Sequence, residues 1–217
     1  TTAFSRLGQA ALNYADTQGA PELRKMIAGH IGPSRGVACS PDQIIILSSF
    51  RQAMHVLFHF FLDETDPILI ENPCLPEIHS VAEMQKLRIV PLPVEPDGAD
   101  IEQISLEDSK AKLAVVSANH QYPLGVKMSA SKKTALLNWA LNSNGYIVED
   151  DYDSEFHFEG PPVPTLKSVD TTDRVIYIGT FSKSLFPSLR IGFIISPLGL
   201  IDAFEQIFNS FQQGIPT

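Results

Sequence analysis

Short apolar runs rich in β-branched residues alternate along the chain with longer segments of helical spacing. The strand-like runs are Ile44–Leu47, Ile68–Ile70, Ile89–Val94, Leu113–Ser117, Tyr146–Val148, Val175–Ile178 and Ile191–Ile195. Helical spacing occupies Gln52–Leu62, Ser129–Asn142 and Leu200–Gln212, while the stretch up to Leu87 is mixed. Buried strands separated by helices predict an α/β fold, in which helices cover both faces of a mostly parallel, mixed sheet.

Length and composition narrow the class of protein. The 217 residues, of which 44% are hydrophobic, can form one domain over residues 1–217 with a large core. No apolar run reaches the roughly 18 residues that span a membrane, and no signal peptide is evident. Two cysteines predict a reducing cytoplasm, and the net charge of −9 argues against nucleic-acid binding by this part of the protein.

A lysine beside two hydroxyl residues follows the strand-like run Val175–Ile178. Ser182 and Ser184 flank Lys183, and Arg190 follows in the same segment. An amine can condense with an aldehyde, whereas hydroxyls and a guanidinium can hold a phosphate. The combination favours a ligand that carries both groups, and pyridoxal 5′-phosphate is such a ligand.

An acidic segment, Glu149–Asp153, follows the strand-like run Tyr146–Val148. Carboxylates at the carboxyl end of a buried strand lie where open α/β sheets bind ligands. Because the pyridine nitrogen must stay protonated to accept electrons, we expect an ionised aspartate beside it, and Asp150 is the candidate. A solvated acidic loop or a Mg²⁺ or Ca²⁺ site is the alternative, although the spacing does not match a calcium-binding loop.

Five segments together carry a resemblance to a known family: Tyr14–Arg24, Arg35–Pro41, His120–Gly125, Glu149–Phe156 and Gly179–Gly192. They resemble the large domain of fold-type I pyridoxal phosphate enzymes of the class I aminotransferase group. More narrowly, they are similar to the aminotransferase-like domain of MocR-type regulators, a branch of the GntR transcription factors. The segments run from near the first residue to the last fifth of the chain.

The resemblance implies a role for each candidate site residue. Lys183 would bind the cofactor covalently, Asp150 would pair with the pyridinium nitrogen, and Tyr152 would hydrogen-bond the phenolic oxygen of the ring. Tyr122 would lie in the turn beside the ring, joined to Pro123 by a cis bond. The phosphate contacts would come from Thr180, Ser182, Arg190, the helix-start loop Ser49, Phe50 and Arg51, and Tyr14 of a neighbouring subunit in a homodimer.

The sequence departs from the family pattern in three respects. The phosphate loop, usually Ser-Gly-Ser-Gln-Gln, reads Ser48-Ser49-Phe50-Arg51-Gln52, in which Arg51 could compensate by its charge. Leu75 stands where an aromatic ring usually stacks on the cofactor, at a cost on the order of 1 kcal/mol. The sequence contains neither the winged-helix domain of a MocR regulator nor the family's small C-terminal domain, so we expect a piece of a longer protein or a truncated copy.

Two functions follow from the resemblance. The first is an effector-sensing domain that binds pyridoxal phosphate and a small amine or amino acid, and passes its state to a DNA-binding domain outside this chain. The second is an aminotransferase, in which Lys183 would move a proton between substrate and cofactor while Asp150 sustains the electron sink. The altered phosphate loop and Leu75 favour sensing or weak catalysis, and a degenerate domain that holds the cofactor poorly is a third reading.

Overall fold

The computed structural model describes residues 16–153, 163–183, 188 and 190–211. Its helices are α1 (Pro21–Arg35), α2 (Phe50–Phe61), α3 (Pro76–Met84), α4 (Ala130–Ser143), α5 (Leu166–Val169) and α6 (Ile201–Phe211). Its strands are β1 (Ile44–Leu47), β2 (Pro67–Asn72), β3 (Arg88–Glu95), β4 (Gly98–Ala99), β5 (Leu113–Val116), β6 (Tyr146–Asp151), β7 (Val175–Thr180) and β8 (Gly192–Ile195).

The eight strands form one mixed sheet in the order β1-β8-β7-β6-β5-β2-β3-β4. The central strands β7, β6, β5, β2 and β3 are parallel to their neighbours in this series. Strand β8 runs antiparallel to both β1 and β7, and β4 is antiparallel to β3. The predicted α/β fold with a mostly parallel, mixed sheet is therefore confirmed.

Helices cover both faces of the sheet because the buried strands alternate their side chains between two apolar layers. In β1, Ile45 and Leu47 join the layer that also contains buried residues of α2, α3 and α6. Ile44 and Ile46 point the other way and pack with Ile27 and Ile31 of α1. A third cluster, under α4 and α5, extends the second layer beside the α1 cluster.

Two helices were missed by the sequence analysis. Helix α1 received no assignment, and α3 lies inside the stretch that was read as mixed. Each begins with a proline at the first helical position followed by a glutamate, Pro21-Glu22 and Pro76-Glu77, which is a recognised start signal. The spacing of apolar residues alone did not reveal these two helices, because α3 is short and α1 carries few buried apolar residues.

The described part of the chain also limits several other classes of site. Cys39 and Cys74 are free thiols, and burial raises the pKa of Cys74 to about 11, which favours an inert thiol. Within the described ranges, no group of three or more potential ligands could hold a metal ion. None of the described helices combines the length and apolarity needed to cross a bilayer.

Candidate cofactor site

A cavity opens at the edge of the sheet where the parallel strands end. Sheet register brings the ends of four strands together there, since Asp150 of β6 pairs with Ile178 of β7, and Gly192 of β8 pairs with both Thr180 and Leu47. The cavity has a volume of about 520 Å³, within the usual range for small-molecule sites.

Eleven of the twelve predicted site residues line this one cavity: Ser49, Phe50, Arg51, Leu75, Tyr122, Asp150, Tyr152, Thr180, Ser182, Lys183 and Arg190. Tyr14, the twelfth, lies outside the described residues. The sequence analysis did not single out the other lining residues, Leu47, Ser48, Glu77, Ile178, Gly179 and Gly192. Asp150 at the end of β6 and Lys183 in the turn after β7 lie far apart in sequence and line the same cavity.

Only the middle one of three consecutive acids reaches the cavity. Glu149, Asp150 and Asp151 all lie within β6 and are all buried. Successive side chains of a strand point to opposite faces, so Asp150 shares the face of Val148 and Ile178, while its two neighbours point to the other face. The alternative of a solvated acidic loop is wrong for these three residues.

The two acids on the opposite face have structural partners. Glu149 accepts hydrogen bonds from the backbone N–H groups of Leu166 (2.7 Å) and Lys167 (2.8 Å), at the start of α5. Asp151 forms an ion pair with Arg35 at 3.3 Å and accepts a hydrogen bond from the Tyr177 hydroxyl at 2.5 Å. These contacts fix the neighbours of Asp150 and leave it as the acid of β6 that lines the cavity.

The surroundings of Asp150 favour a cation beside its carboxyl group. Burial, followed by the nearby charges of Asp151 and Glu71, raises the pKa of this carboxyl well above its ordinary value. Among the described residues, no cation or hydrogen-bond donor meets the Asp150 side chain. A buried carboxylate in this position is satisfied when a positively charged group enters the cavity.

The start of α2 brings to the cavity the kind of groups that can bind an anion. Helix α2 begins there with Ser49 as its N-cap, and the Ser49 side chain accepts from the backbone N–H of Gln52. The Ser49 φ of −165° is extended and open to any residue, so the loss of the family's glycine costs nothing in backbone strain. The Phe50 ring packs against the core, and the first backbone N–H groups of α2 remain at the cavity.

Thr180 and Arg51, two of the expected phosphate ligands, have protein partners. The Thr180 hydroxyl accepts a hydrogen bond from the Ser182 backbone N–H at 3.1 Å and donates to the Ile191 carbonyl at 3.3 Å. This closes the turn that carries Lys183. The Arg51 guanidinium donates to the Ser80 hydroxyl of α3 at 2.8 Å, which ties the start of α2 to α3.

Tyr152 is held as a neutral hydroxyl. Burial and the charges of Asp153 and Asp150 raise the pKa of Tyr152 above its ordinary value, so it stays a hydrogen-bond donor at neutral pH. The His120 ring stacks on Tyr152 with centroids 6.0 Å apart, and His120 Nδ1 also pairs with Asp153. Tyr122 meets Tyr152 edge to face at 6.5 Å, next to the Tyr122–Pro123 bond, which is cis as expected.

A buried pair, Glu71 and Gln121, connects the two loops on this side of the cavity. Glu71 Oε2 accepts from the Ser117 backbone N–H at 3.0 Å and from Gln121 Nε2 at 3.3 Å. The same Gln121 nitrogen lies 2.7 Å from both the Pro73 and Tyr122 carbonyls. The segment before α3 and the turn of Tyr122 are thereby tied together, and the sequence analysis gave neither Glu71 nor Gln121 a role.

The buried acids predict an unusual dependence of stability on pH in the absence of ligand. Burial raises the pKa of Glu71 and that of Glu149 from 4.5 to about 7. The folded state therefore holds these protons more tightly than the unfolded state, so their stabilisation is complete below about pH 4.5 and is lost as the pH rises through about 7. Each group contributes up to about 1.4 kcal/mol per pH unit in that window.

We expect the free energy of unfolding to fall by a few kcal/mol between about pH 5 and about pH 7.5, as measured by urea denaturation without cofactor. The carboxyls with a lowered pKa change the stability only at more acidic pH, so they do not oppose this fall in the free energy of unfolding. They are Asp66, Asp100, Asp108 and Asp170. Glu149→Gln should remove part of the fall. A stability that increases across this range would contradict the assignment.

The fold and the cavity define a class of protein, and comparison with known proteins identifies it. The family model for aminotransferases of class I and II matches residues 3–212, and the chain belongs to this family. A solved structure of this type, the Pyrococcus horikoshii kynurenine aminotransferase, superposes with a TM-score of 0.89 at 28% identity. The match covers 99% of this chain and 55% of that protein.

Curated relatives add a second group of proteins. The uncharacterized HTH-type transcriptional regulator YdeL of Bacillus subtilis is 39% identical over 194 residues, which are 89% of this chain and 41% of that protein. The probable rhizopine catabolism regulatory protein MocR of Rhizobium meliloti is 40% identical over 200 residues, 91% of this chain and 40% of that protein. The resemblance to aminotransferases and to MocR-type regulators is confirmed, and the chain spans about two fifths of these regulators.

Proposed function

We propose that this domain binds pyridoxal 5′-phosphate and a small amine or amino acid, and is the effector-sensing part of a MocR-type transcriptional regulator. The single observation that carries the cofactor assignment is the cavity that Lys183 and Asp150 share. The donor set fits the cofactor at both ends: an amine and helix N–H groups face one end, and a buried carboxylate without a cation faces the other. The similarity to HTH-type regulators supports sensing.

Each residue has a defined task in this proposal. Lys183 Nζ would hold the cofactor covalently, and the N-terminus of α2 with Ser182, Thr180, Arg51 and Arg190 would hold the phosphate. Bound pyridoxal phosphate supplies an aldehyde for amines and an electron sink for the bonds of the amine carbon. The remaining side chains would orient the ring: Asp150 at its nitrogen, Tyr152 at its phenolic oxygen, and Leu75 and Tyr122 beside it.

The complete protein would act in the cytoplasm as a homodimer, with nucleic acid bound only by a domain outside this chain. The amine of the effector would replace Lys183 on the cofactor. The released lysine would then shift contacts between domains or subunits. The net charge of −9 supports this division of labour, because it disfavours DNA binding by residues 1–217.

The alternative function is that of an aminotransferase, because the chain belongs to that family and Lys183 Nζ could also carry a proton between substrate and cofactor. The discriminating experiment titrates the cofactor-loaded protein with a panel of amines and amino acids, then adds a 2-oxo acid acceptor. Sensing predicts a saturable spectral change with no sustained amino transfer. Turnover at ordinary enzyme rates, about 1 s⁻¹ or faster, would favour the aminotransferase. No spectral response to the cofactor itself would reject both.

A further inference from the structure

Glu77 is a lining residue of the cofactor cavity to which the cofactor gives no task. It lies in the first turn of α3, directly after Leu75 and Pro76, and its side chain is exposed. It forms no ion pair or hydrogen bond with any residue that the structure describes. Its charge is close enough to Asp150 to raise the pKa of that buried carboxyl.

Most of the charged residues that line the cavity have an expected partner group on the cofactor. Arg51, Lys183 and Arg190 are the cationic lining residues, and Asp150 and Glu77 are the anionic ones. A phosphate draws on the arginines and the helix N-terminus, Lys183 meets the aldehyde, and Asp150 meets the ring nitrogen. Glu77 is then the charged lining residue left without a partner among these groups.

An aromatic residue of the lining, Tyr122, lies in a loop that is tied to the segment before α3. Gln121 ties the Pro73 carbonyl, just before α3, to the turn that carries Tyr122, so the start of α3 and Tyr122 belong to neighbouring loops. Tyr122 is 41% exposed and lines the cavity. A carboxylate combined with an accessible aromatic ring is a surface that attracts an ammonium or guanidinium group.

We infer that Glu77 selects ligands with a second cationic group, such as diamines and basic amino acids, over simple amines of the same length. This inference rests on the proposed function, because the first amine of the ligand reacts at the cofactor. The competing explanation is local: a glutamate in the first turn of a helix interacts favourably with the helix dipole whether or not the cavity holds a ligand.

The test uses the cofactor-loaded protein and two probes that differ in one ammonium group, 1,5-diaminopentane and 1-aminopentane. Apparent dissociation constants come from the change in the visible spectrum during titration, with no turnover required. The wild type should prefer the diamine by about three- to tenfold, with the preference decreasing at high salt. Glu77→Gln should bring the ratio close to one, with both proteins titrated at saturating pyridoxal phosphate so that a change in cofactor affinity does not enter the ratio.

Glu83→Gln is the matched control, since it removes the same charge from the exposed far end of the same helix. It should leave the diamine preference intact. A helix-dipole role would lower the unfolding midpoint of Glu77→Gln without changing the ratio, and that result overturns the inference. A wild type without diamine preference also overturns it. A wild type that develops no visible band with the cofactor refutes the proposed function, and the inference with it.

Discussion

Replacing Lys183 by alanine should abolish the visible absorption band that pyridoxal phosphate forms with the wild-type protein. The band requires a covalent bond to an amine, and Lys183 is the lysine in the lining of the cavity. The other contacts proposed for the phosphate and the ring would remain, so the variant should still bind the cofactor non-covalently. Absorbance titration of the band and equilibrium dialysis of the cofactor separate these two effects.

The lysine itself can be identified directly. Borohydride reduction of the loaded wild type, followed by peptide mass spectrometry, should find the cofactor on the peptide that contains Lys183. Lys25→Ala is the matched control, because Lys25 is an exposed lysine of α1 that does not line the cavity. A band of undiminished intensity in Lys183→Ala, or a label on another lysine, would remove the basis of the cofactor assignment.

Asp150→Asn should weaken pyridoxal phosphate binding by about 100-fold, since it leaves a buried cationic ring nitrogen without its counter-charge. The asparagine keeps the shape of the side chain and removes only the charge. Glu149→Gln is the control within the same strand, because Glu149 faces away from the cavity and bonds the start of α5. That variant should lose stability and keep its affinity for the cofactor.

The same substitution should have the opposite effect on the empty protein. The pKa of Asp150 is raised in the folded state, so its contribution to stability is lost as the pH rises. Asp150→Asn should therefore unfold at a higher urea concentration than the wild type at about pH 8 without cofactor. Equal cofactor affinity in wild type and variant would contradict the role of Asp150, whatever the stability shows.

The sequence predicted the strands and most of the residues that line the cavity better than the contacts that connect the loops around it. Ile44–Leu47 and Val175–Ile178 are continuous apolar runs, and such runs identify buried strands without any knowledge of the fold. Lys183 and Asp150 could be proposed together from the sequence because pyridoxal phosphate would need both an amine and a carboxylate, and both residues line one cavity. These two residues come together in one cavity because β6 pairs with β7 in the sheet, and the local sequence pattern does not encode that pairing.

The residues that the sequence analysis missed act through long-range contacts. The sequence analysis gave Glu71 and Gln121 no role, although Gln121 lies in one of the segments that carry the resemblance. Their task is to connect loops that follow different strands. Glu77 was overlooked because α3 was not recognised, although Pro76-Glu77 marks its start. The concern about the missing glycine at Ser49 could be resolved only by the backbone angle that this residue adopts.

The alternation of side chains in β6 restricts which changes in length this strand can accept. Loss of one residue between Gly145 and Val148 would shift the strand by one position and exchange its two faces. Asp151 would then take the cavity position of Asp150, and Asp150 would take the place of Glu149 on the opposite face. Glu149 would take the position of Val148, which puts a carboxylate into an apolar layer of the core. Point substitutions in β6 should thus appear among functional variants of this domain, whereas single-residue deletions there should be absent from a library selected for cofactor binding.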